Sequence, residues 1–477
     1  MEDIIKRTNA RLEHVRKKKE EKLEEQTWKK HAHRYQPVTM TEMLAFTGIC
    51  VLRSFFTDLT LKQIYDAKLG PPAFKATMGA GRYGTLLRYI TFDDVTSREE
   101  RRKGDKFCLI RDVFERFDAG LRVHFSPSEC ITIDESLLRF RGRCPFRMYL
   151  PSKPGRYGLL FRTAADANHR YLWKAWPYSG RPAAPELSPP GVQLDGMTET
   201  VRYLVQEVMG TGRNITLDRL YTSVPLAEEL QGQRLTVVGT LNKNRKLLPA
   251  KLTDVRGRQP GSSLFCFRNG VTLVSHCPKP RKLVLALSTQ HDAALVDVKT
   301  KKPEVILYYN ATKGGVDVVD SMLETCMGKP TLKRWPTAVW FFMLSIAQVN
   351  GFTILQFNRG EDVNRREMRL ALAEQLMAPR LQERVASPVG LNADTLAALA
   401  TVTGKSAARP RPVTHSEQAA RGRCVTCLKE ISGGRGSGHR TAKEKMPKYP
   451  PCSMCQEFVC TVHSTKVRVC NECKSDE

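Results

Sequence analysis

The sequence predicts a multidomain α/β protein, with a strand–helix–strand core between two mostly helical regions and a cysteine-rich module at the end. Three observations carry this expectation. Long apolar-periodic stretches flank a middle section of short apolar runs bounded by Pro, Gly, Asn or Asp. The 477 residues suffice for about three domains of ~100–200 residues each. Seven of the 14 cysteines fall from Cys424 onward, a local excess that the rest of the chain does not share.

Taken in order, the first ~125 residues read as helical. Residues 10–30 are rich in Lys, Glu and Arg, a good helix-forming composition. TMTEMLAFTGICVLRSFF is apolar-periodic, with Thr39 or Thr41 as its N-cap. From about residue 130 the texture changes. CITIDESLLRFRGR, MYLPSKP, YGLLFRTAADANHRYLWKAW and RNITLDRLYT read as strands or strand ends, and MTETVRYLVQEVMG between them has helical spacing. Residues 236–304 read as β-rich and basic. VILYYN returns to strand character and leads into ATKGGVDVVDSM. KRWPTAVWFFMLSIAQVNGFTILQF starts a second helical region that reaches about residue 400, and TVTGKSAARPRPVTHSEQAARG is a flexible linker.

Composition narrows the function classes. With 41% hydrophobic and 26% charged residues the chain is globular in character. No stretch approaches the ~18–20 uninterrupted apolar residues of a membrane span, and the N-terminal MEDIIKRTNARLEHVRKKKEEK has no apolar signal-peptide core, so membrane and secreted classes are not expected. Lys and Arg number 76 against 49 Asp and Glu, a surplus of +27 that points to a polyanionic partner, most simply nucleic acid. Residues 139–181 carry ten Lys and Arg against one Asp, and residues 236–304 carry 13 against four acidic residues. The single cysteines Cys50, Cys108, Cys130, Cys144, Cys266, Cys277 and Cys326 suit a reduced compartment, as small buried hydrophobes.

The clustered cysteines form four pairs: Cys424-x2-Cys427, Cys452-x2-Cys455, Cys460-x2-His463 and Cys470-x2-Cys473, separated by 24, four and six residues. Eight thiolate or imidazole ligands match two tetrahedral zinc ions, and each short turn aims two ligands at a common point. Seven Cys plus one His is the wrong count for a disulfide framework. A cross-brace as in RING and PHD domains is expected, pairs one and three on one zinc, two and four on the other. His439, in the long loop, reads as solvent-exposed rather than a ligand. Such a module can bind DNA, a peptide or another copy of itself, and the ligand pattern does not choose among these.

Acidic residues stand out inside this basic chain. Asp134 ends CITID, Asp218 ends RNITLD, and Asp317 follows VILYYNATKGGV with Asp320 one helical turn later. An Asp at a strand end is ordinarily a turn former or N-cap. Converging carboxylates can instead hold two Mg²⁺ ions ~3.5–4 Å apart for phosphodiester chemistry, hard oxygen ligands suiting that ion. Arg141, Arg143, Lys153, Arg156 and Lys313 are near these aspartates in sequence and either hold a scissile strand or are solvated surface charges. Tyr221, Thr222 and Ser223 either contact DNA or pack and cap. Trp335, beside Lys333 and Arg334, either stacks on an unpaired base or is a core residue at a helix start, while Trp340 reads as core. Lys243, Arg245 and Lys246 are further candidate DNA contacts.

TIDESLLRFRGRCPFRMYLPSKPGRYG, RNITLDRLYTSVPLAEEL, VVGTLNKNRKLLP, YYNATKGGVDVVDSM and KRWPTAVWFFMLSIAQVN together resemble the piggyBac family of DNA transposases, over roughly residues 40–360 and with a zinc tail of the same kind. The resemblance implies an RNase H-like catalytic core (129–239 and 305–326) interrupted by a β-rich insertion (240–304). It also implies a helical dimerisation and DNA-binding domain in two parts (1–128 and 327–400), a linker (401–421) and a transposon-end-binding zinc finger (422–477). Asp134, Asp218 and Asp317 match the family's catalytic, Mg²⁺- or Mn²⁺-binding aspartates, and Asp320 a further acidic position. The implied activity is cut-and-paste transposition through hairpin ends into TTAA targets. The partners would be double-stranded DNA at terminal inverted repeats and targets, and a homodimer or higher synaptic assembly. The expected location is the nucleus, with VRKKK and the basic linker as candidate import signals. Two departures stand out: Arg219-Leu220 replaces the family's Asn and aromatic after Asp218, and Gly158-Leu159-Leu160 lacks its lysine. A domesticated relative that binds DNA or chromatin without transposing is the alternative, as is a zinc-finger chromatin protein with the core as scaffold.

Overall fold

The computed structural model describes residues 1–23, 27–28, 31–66, 68–151, 153, 155–180, 196–245, 247–328, 332–359, 363–388, 390–405, 423–424, 449, 460 and 462. The chain divides into two compact units, Met1–Thr60 with Gly81–Met377, and Leu61–Ala80 with Ala378–Glu477.

The first unit opens on helices α1 (Glu2–Glu20) and α2 (Met40–Arg53). Thr39 is the N-cap of α2, its hydroxyl accepting from the Glu42 amide, as its position before the apolar stretch requires. Amphipathic α3 (Arg111–His124) then leads into the sheet.

Strands β1 (Cys130–Arg139), β2 (Met148–Leu150), β3 (Arg156–Asp166), β4 (Leu172–Pro177), β5 (Asn214–Leu217), β6 (Thr236–Leu241), β7 (Ser263–Arg268), β8 (Val271–Lys279) and β9 (Lys282–Ser288) form one nine-stranded mixed sheet. Its order is β2-β3-β1-β5-β6-β9-β8-β7, with β4 also on β3. Strand β3 runs antiparallel to both β1 and β4, whereas β5 and β6 run parallel to β1. The helix α4 (Met197–Val205) and α5 (Val224–Gly232) connect β4 to β5 and β5 to β6. The β-rich stretch after residue 240 contributes β7, β8 and β9, which continue this same sheet from β6.

The expected strand at VILYYN is instead helix α6 (Glu304–Thr312), followed by α7 (Gly315–Cys326). A short apolar run does not by itself distinguish a strand from a buried helix. Pro303 at the N-cap presets the first turn, and Val305, Ile306 and Tyr309, spaced for one helical face, pack on Val238, Val274 and Ala286. Helix α8 (Trp335–Arg359) is, among the described residues, the one helix long and apolar enough to cross a membrane by length and composition. It is a core helix here: Trp340 stacks on Phe46, and Phe342 lies 4.8 Å from Phe161 of β3. Helix α9 (Arg365–Ala386) follows, and its first part belongs to this unit.

In the second unit, α10 (Ala393–Thr403) begins at Asn392, whose side chain accepts from the Thr395 amide, and ends at Gly404 with φ +65°. The Arg384 guanidinium donates to the carbonyls of Lys75 and Ala76 at 3.2 and 2.7 Å. Of the expected zinc ligands, Cys424 and Cys460 are described and buried, while Cys427, Cys452, Cys455, His463, Cys470 and Cys473 lie outside the described residues.

Candidate active site

The parallel ladder between β1 and β5 ends at the pair Ile133↔Leu217. The next residue in each chain is an aspartate, Asp134 and Asp218, so register alone sets these carboxylates side by side at the carboxyl end of β5. Such ends are where open α/β sheets bind ligands. Asp218 closes its strand and turns the chain, its Oδ1 accepting from the Leu220 amide at 2.7 Å. Asp134 does not end a strand, as the sequence suggested. It sits within β1, which runs on to Arg139 because β3 pairs with it beyond the end of β5.

Strand alternation places Thr132, Asp134 and Ser136 on one face of β1. The α6–α7 junction rests on that face. The Thr132 hydroxyl donates to the Thr312 carbonyl at 2.6 Å, and the Thr216 and Thr312 hydroxyls are 2.8 Å apart. A Cβ at Gly315 would lie 2.8 Å from Thr132 Oγ1, so this close approach requires glycine. It carries Asp317, in the first turn of α7, and Asp320 over β1. Asp317 therefore stands on a helix rather than on a third strand. The Ser136 hydroxyl donates to Asp320 at 2.6 Å.

The electrostatics are those of a crowded carboxylate site. Burial raises the Asp320 carboxyl to about 6, against the Ser136 hydrogen bond, with Asp317 and Asp134 adding to the rise. Burial also raises Asp134, and the charges of Asp218 and Asp317 push the same way. Asp317 is largely exposed, with Lys153 Nζ 3.8 Å from its Oδ1 and 2.8 Å from the Glu135 carbonyl. Glu135 is a carboxylate the sequence reading missed. Burial, Asp134 and Asp218 raise it, and Tyr221 donates to it at 3.4 Å. It was legible only as the neighbour of Asp134 in TIDES, on the other strand face. Among the described residues, no three His, Cys, Asp or Glu side chains close around a single point as placed. Four hard-oxygen donors (Asp134, Asp218, Asp317 and Asp320) gathered in one region nonetheless suit a divalent cation.

The expected DNA contacts divide. Arg141, Arg143 and Lys333 are exposed and line a cleft of about 890 Å³ together with Arg102, Lys106 and Arg147. Arg156, Lys243 and Lys313 are exposed as well. Arg245 donates to the Leu220 carbonyl at 2.6 Å, tying down the turn that departs from the family pattern. Lys246 lies outside the described residues.

Other contacts are corrected by burial. Trp335 borders that cleft but is only 7% exposed, its ring 5.0 Å from Phe146 and 5.5 Å from Phe107, so most of it packs in an aromatic core. Arg334 donates to the carbonyls of Arg88 and Ile90, both at 2.7 Å, and burial lowers its guanidinium to about 10. Tyr221 and Thr222 are fully buried, the Thr222 hydroxyl donating to the Asp218 carbonyl at 2.7 Å. Ser223 caps α5.

Comparison with known proteins supplies the family. Residues 1–352 match the family model described as Transposase IS4. The chain belongs to the piggyBac family of transposases. It is similar to the human piggyBac transposable element-derived protein 3, 19% identical over 333 residues that cover 66% of this chain and 55% of that protein. A human chimeric ERCC6-PGBD3 protein is 19% identical over 333 residues, covering 66% of this chain and 31% of its own length. The chain thus spans about half the length, or less, of these curated relatives. The fold is similar to that of a piggyBac transposase solved by cryo-EM in a synaptic complex with hairpin DNA. That match has TM-score 0.76 and 30% identity, and covers 99% of this chain and 94% of the other.

Proposed function

We propose that this chain is a metal-dependent cut-and-paste DNA transposase that excises through hairpin ends and integrates at TTAA. The observation that carries the reading is the register that sets Asp134 beside Asp218 while Gly315 lowers Asp317 and Asp320 onto the same face. Three antiparallel strands followed by two parallel ones support reading β4-β3-β1-β5-β6 as an RNase H-like core over 129–239 and 305–326. The stretch 240–304 is its insertion, and segments 1–128 and 327–400 are the dimerisation and DNA-binding helices.

Asp134, Asp218 and Asp317 hold the divalent ions, Mg²⁺ or Mn²⁺, with Asp320 beside them. When bound, these ions activate a water or a 3′-hydroxyl and stabilise the leaving oxygen of the phosphodiester. The protein's own groups prepare that site. Ser136 orients Asp320, the β1–β5 register fixes the spacing of Asp134 and Asp218, and Lys153 partly offsets the negative charge until a cation binds. Exposed Arg141, Arg143, Arg156, Lys243, Lys313 and Lys333 hold DNA phosphates. The finger at 422–477 binds two zinc ions through the eight Cys and His ligands and reads the transposon ends after the linker at 401–421. The protein works in the nucleus as a homodimer or a higher synaptic assembly, bridging two ends.

The test is Mg²⁺-dependent nicking of DNA that carries the sequence flanking this coding region. Wild type nicks, and Asp134→Ala, Asp218→Ala and Asp317→Ala each lose the activity by about 10³-fold or more. Nicking without metal, or by the three variants at the wild-type rate, overturns the proposal. Likeness to the human element-derived protein favours a second reading, a domesticated DNA- or chromatin-binding protein. DNA binding without any Mg²⁺-dependent nicking would select it.

A further inference from the structure

Between β1 and β3 the chain makes an excursion that buries Phe140 and Phe146 in the core but leaves its short edge strand exposed. The edge strand β2 pairs with the start of β3, and Tyr149 lies directly opposite Tyr157. The two rings are 4.8 Å apart at 37°, yet Tyr149 is 52% and Tyr157 41% exposed. As a cross-strand pair the rings stabilise the edge ladder, and the half of each that stays exposed leaves aromatic surface open to a ligand. The Arg147 guanidinium lies 5.3 Å from the Tyr157 ring centroid.

Three observations tie this pair to the carboxylate site. In the β1–β3 register Asp134 faces Thr163 and Ser136 faces Phe161; counting back by twos along β3 puts Tyr157, and with it Tyr149, on the sheet face that carries Asp134. The turn between the tyrosines holds Lys153, which reaches to 3.8 Å from Asp317. Residues 139–158 contain Arg139, Arg141, Arg143, Arg147, Lys153 and Arg156 and no acidic residue, which suits a polyanionic strand.

We propose that Tyr149 and Tyr157, flanked by Arg147, form a stacking platform for unpaired bases of a DNA strand on the sheet face that carries Asp134, six residues (about 20 Å) along β3 from the residue opposite it. Within a duplex the base faces are covered by their neighbours, so an aromatic platform selects bases that have left the stack, while the arginine holds the adjoining phosphate. The proposal rests on the reading of the chain as a DNA strand-transfer enzyme. It places selectivity for opened ends in β2 and β3 instead of at the buried Trp335.

The test uses the full chain without added Mg²⁺, titrated with a duplex bearing a short single-stranded overhang and with the blunt duplex of the same sequence. 2-Aminopurine in the overhang reports stacking by its quenching. The Tyr149→Ala/Tyr157→Ala variant is expected to bind the overhang duplex ~10-fold more weakly and to lose the quenching, with blunt-duplex binding changed by less than ~2-fold. The Tyr149→Phe/Tyr157→Phe variant, which keeps the rings, should retain both affinity and quenching, while unchanged blunt-duplex binding by the alanine variant excludes misfolding as the cause. Equal losses on both duplexes, or undiminished quenching in the alanine variant, overturn the platform. Mg²⁺-dependent nicking by wild type, scored separately, reports the strand-transfer reading: nicking without overhang discrimination sinks the platform alone.

Discussion

Arg334 shows how a side chain's setting decides its role. In sequence it is one of a cationic pair beside an aromatic, a pattern that suits DNA. In the fold its two hydrogen bonds fasten the start of α8 to the Arg88 and Ile90 carbonyls. Arg334→Ala should lower stability by ~1.5–3 kcal/mol, read as a shift of the urea midpoint. If DNA affinity falls while the midpoint holds, the guanidinium serves DNA after all. Tyr171 makes a second case. It is buried, its hydroxyl donates to the Leu121 carbonyl at 2.8 Å, and burial raises it to about 12. The folded protein therefore keeps a proton that the unfolded chain loses near pH 10, and the tyrosine's contribution is lost as pH rises from about 10 through about 12. Urea midpoints across that window should fall less steeply in Tyr171→Phe than in wild type, and parallel slopes would remove Tyr171 as a cause. At this scale the aspartates were legible because carboxylates are rare in so basic a stretch. Thr132, Ser136 and Glu135 were not, because their importance lies in which neighbour the register brings opposite them.

At the scale of elements, most of the strands and the capped α2 follow from local pattern, but the α6–α7 junction does not. VILYYN is as apolar and β-branched as a strand, and only the spacing of Val305, Ile306, Tyr309 and Thr312 betrays a helical face. The consequence for the site is large, since the third carboxylate arrives on a helix whose close approach to the sheet depends on Gly315. Gly315→Ala tests that contact. The new methyl would press on a Thr132 hydroxyl already engaged by the Thr312 carbonyl, so α7 must lift. Overpacking of this kind costs ~1–3 kcal/mol, and displacing Asp317 and Asp320 should slow nicking by about 10²-fold. Gly314→Ala is the control. That position has φ −83° and no atom within 4 Å of an added Cβ, so it should leave both quantities nearly unchanged. Equal nicking by both variants would mean that the height of α7 does not govern the site.

At the scale of the whole molecule, the charge separates two modes of DNA binding. The stretches 139–181 and 236–304 are each strongly basic, whereas residues 422–477 carry ten basic and six acidic residues. A protein that neutralises ~6–10 phosphates loses roughly 10³–10⁵ in affinity between about 50 and 200 mM salt. The steep part of that response should belong to the first unit, because the basic sheet edge and the β2–β3 excursion lie there. Truncation before residue 422 should therefore leave the slope of log affinity against log salt, on DNA of arbitrary sequence, within about one phosphate contact of the full chain. The same truncation should remove most of the preference for transposon ends over arbitrary DNA, since a finger with so small a surplus must recognise sequence through specific contacts. Titrations of both proteins on both DNAs at several salt concentrations measure slope and preference together. A truncated chain whose slope collapses while its preference survives would reverse the assignment, placing phosphate binding in the finger and sequence reading on the sheet.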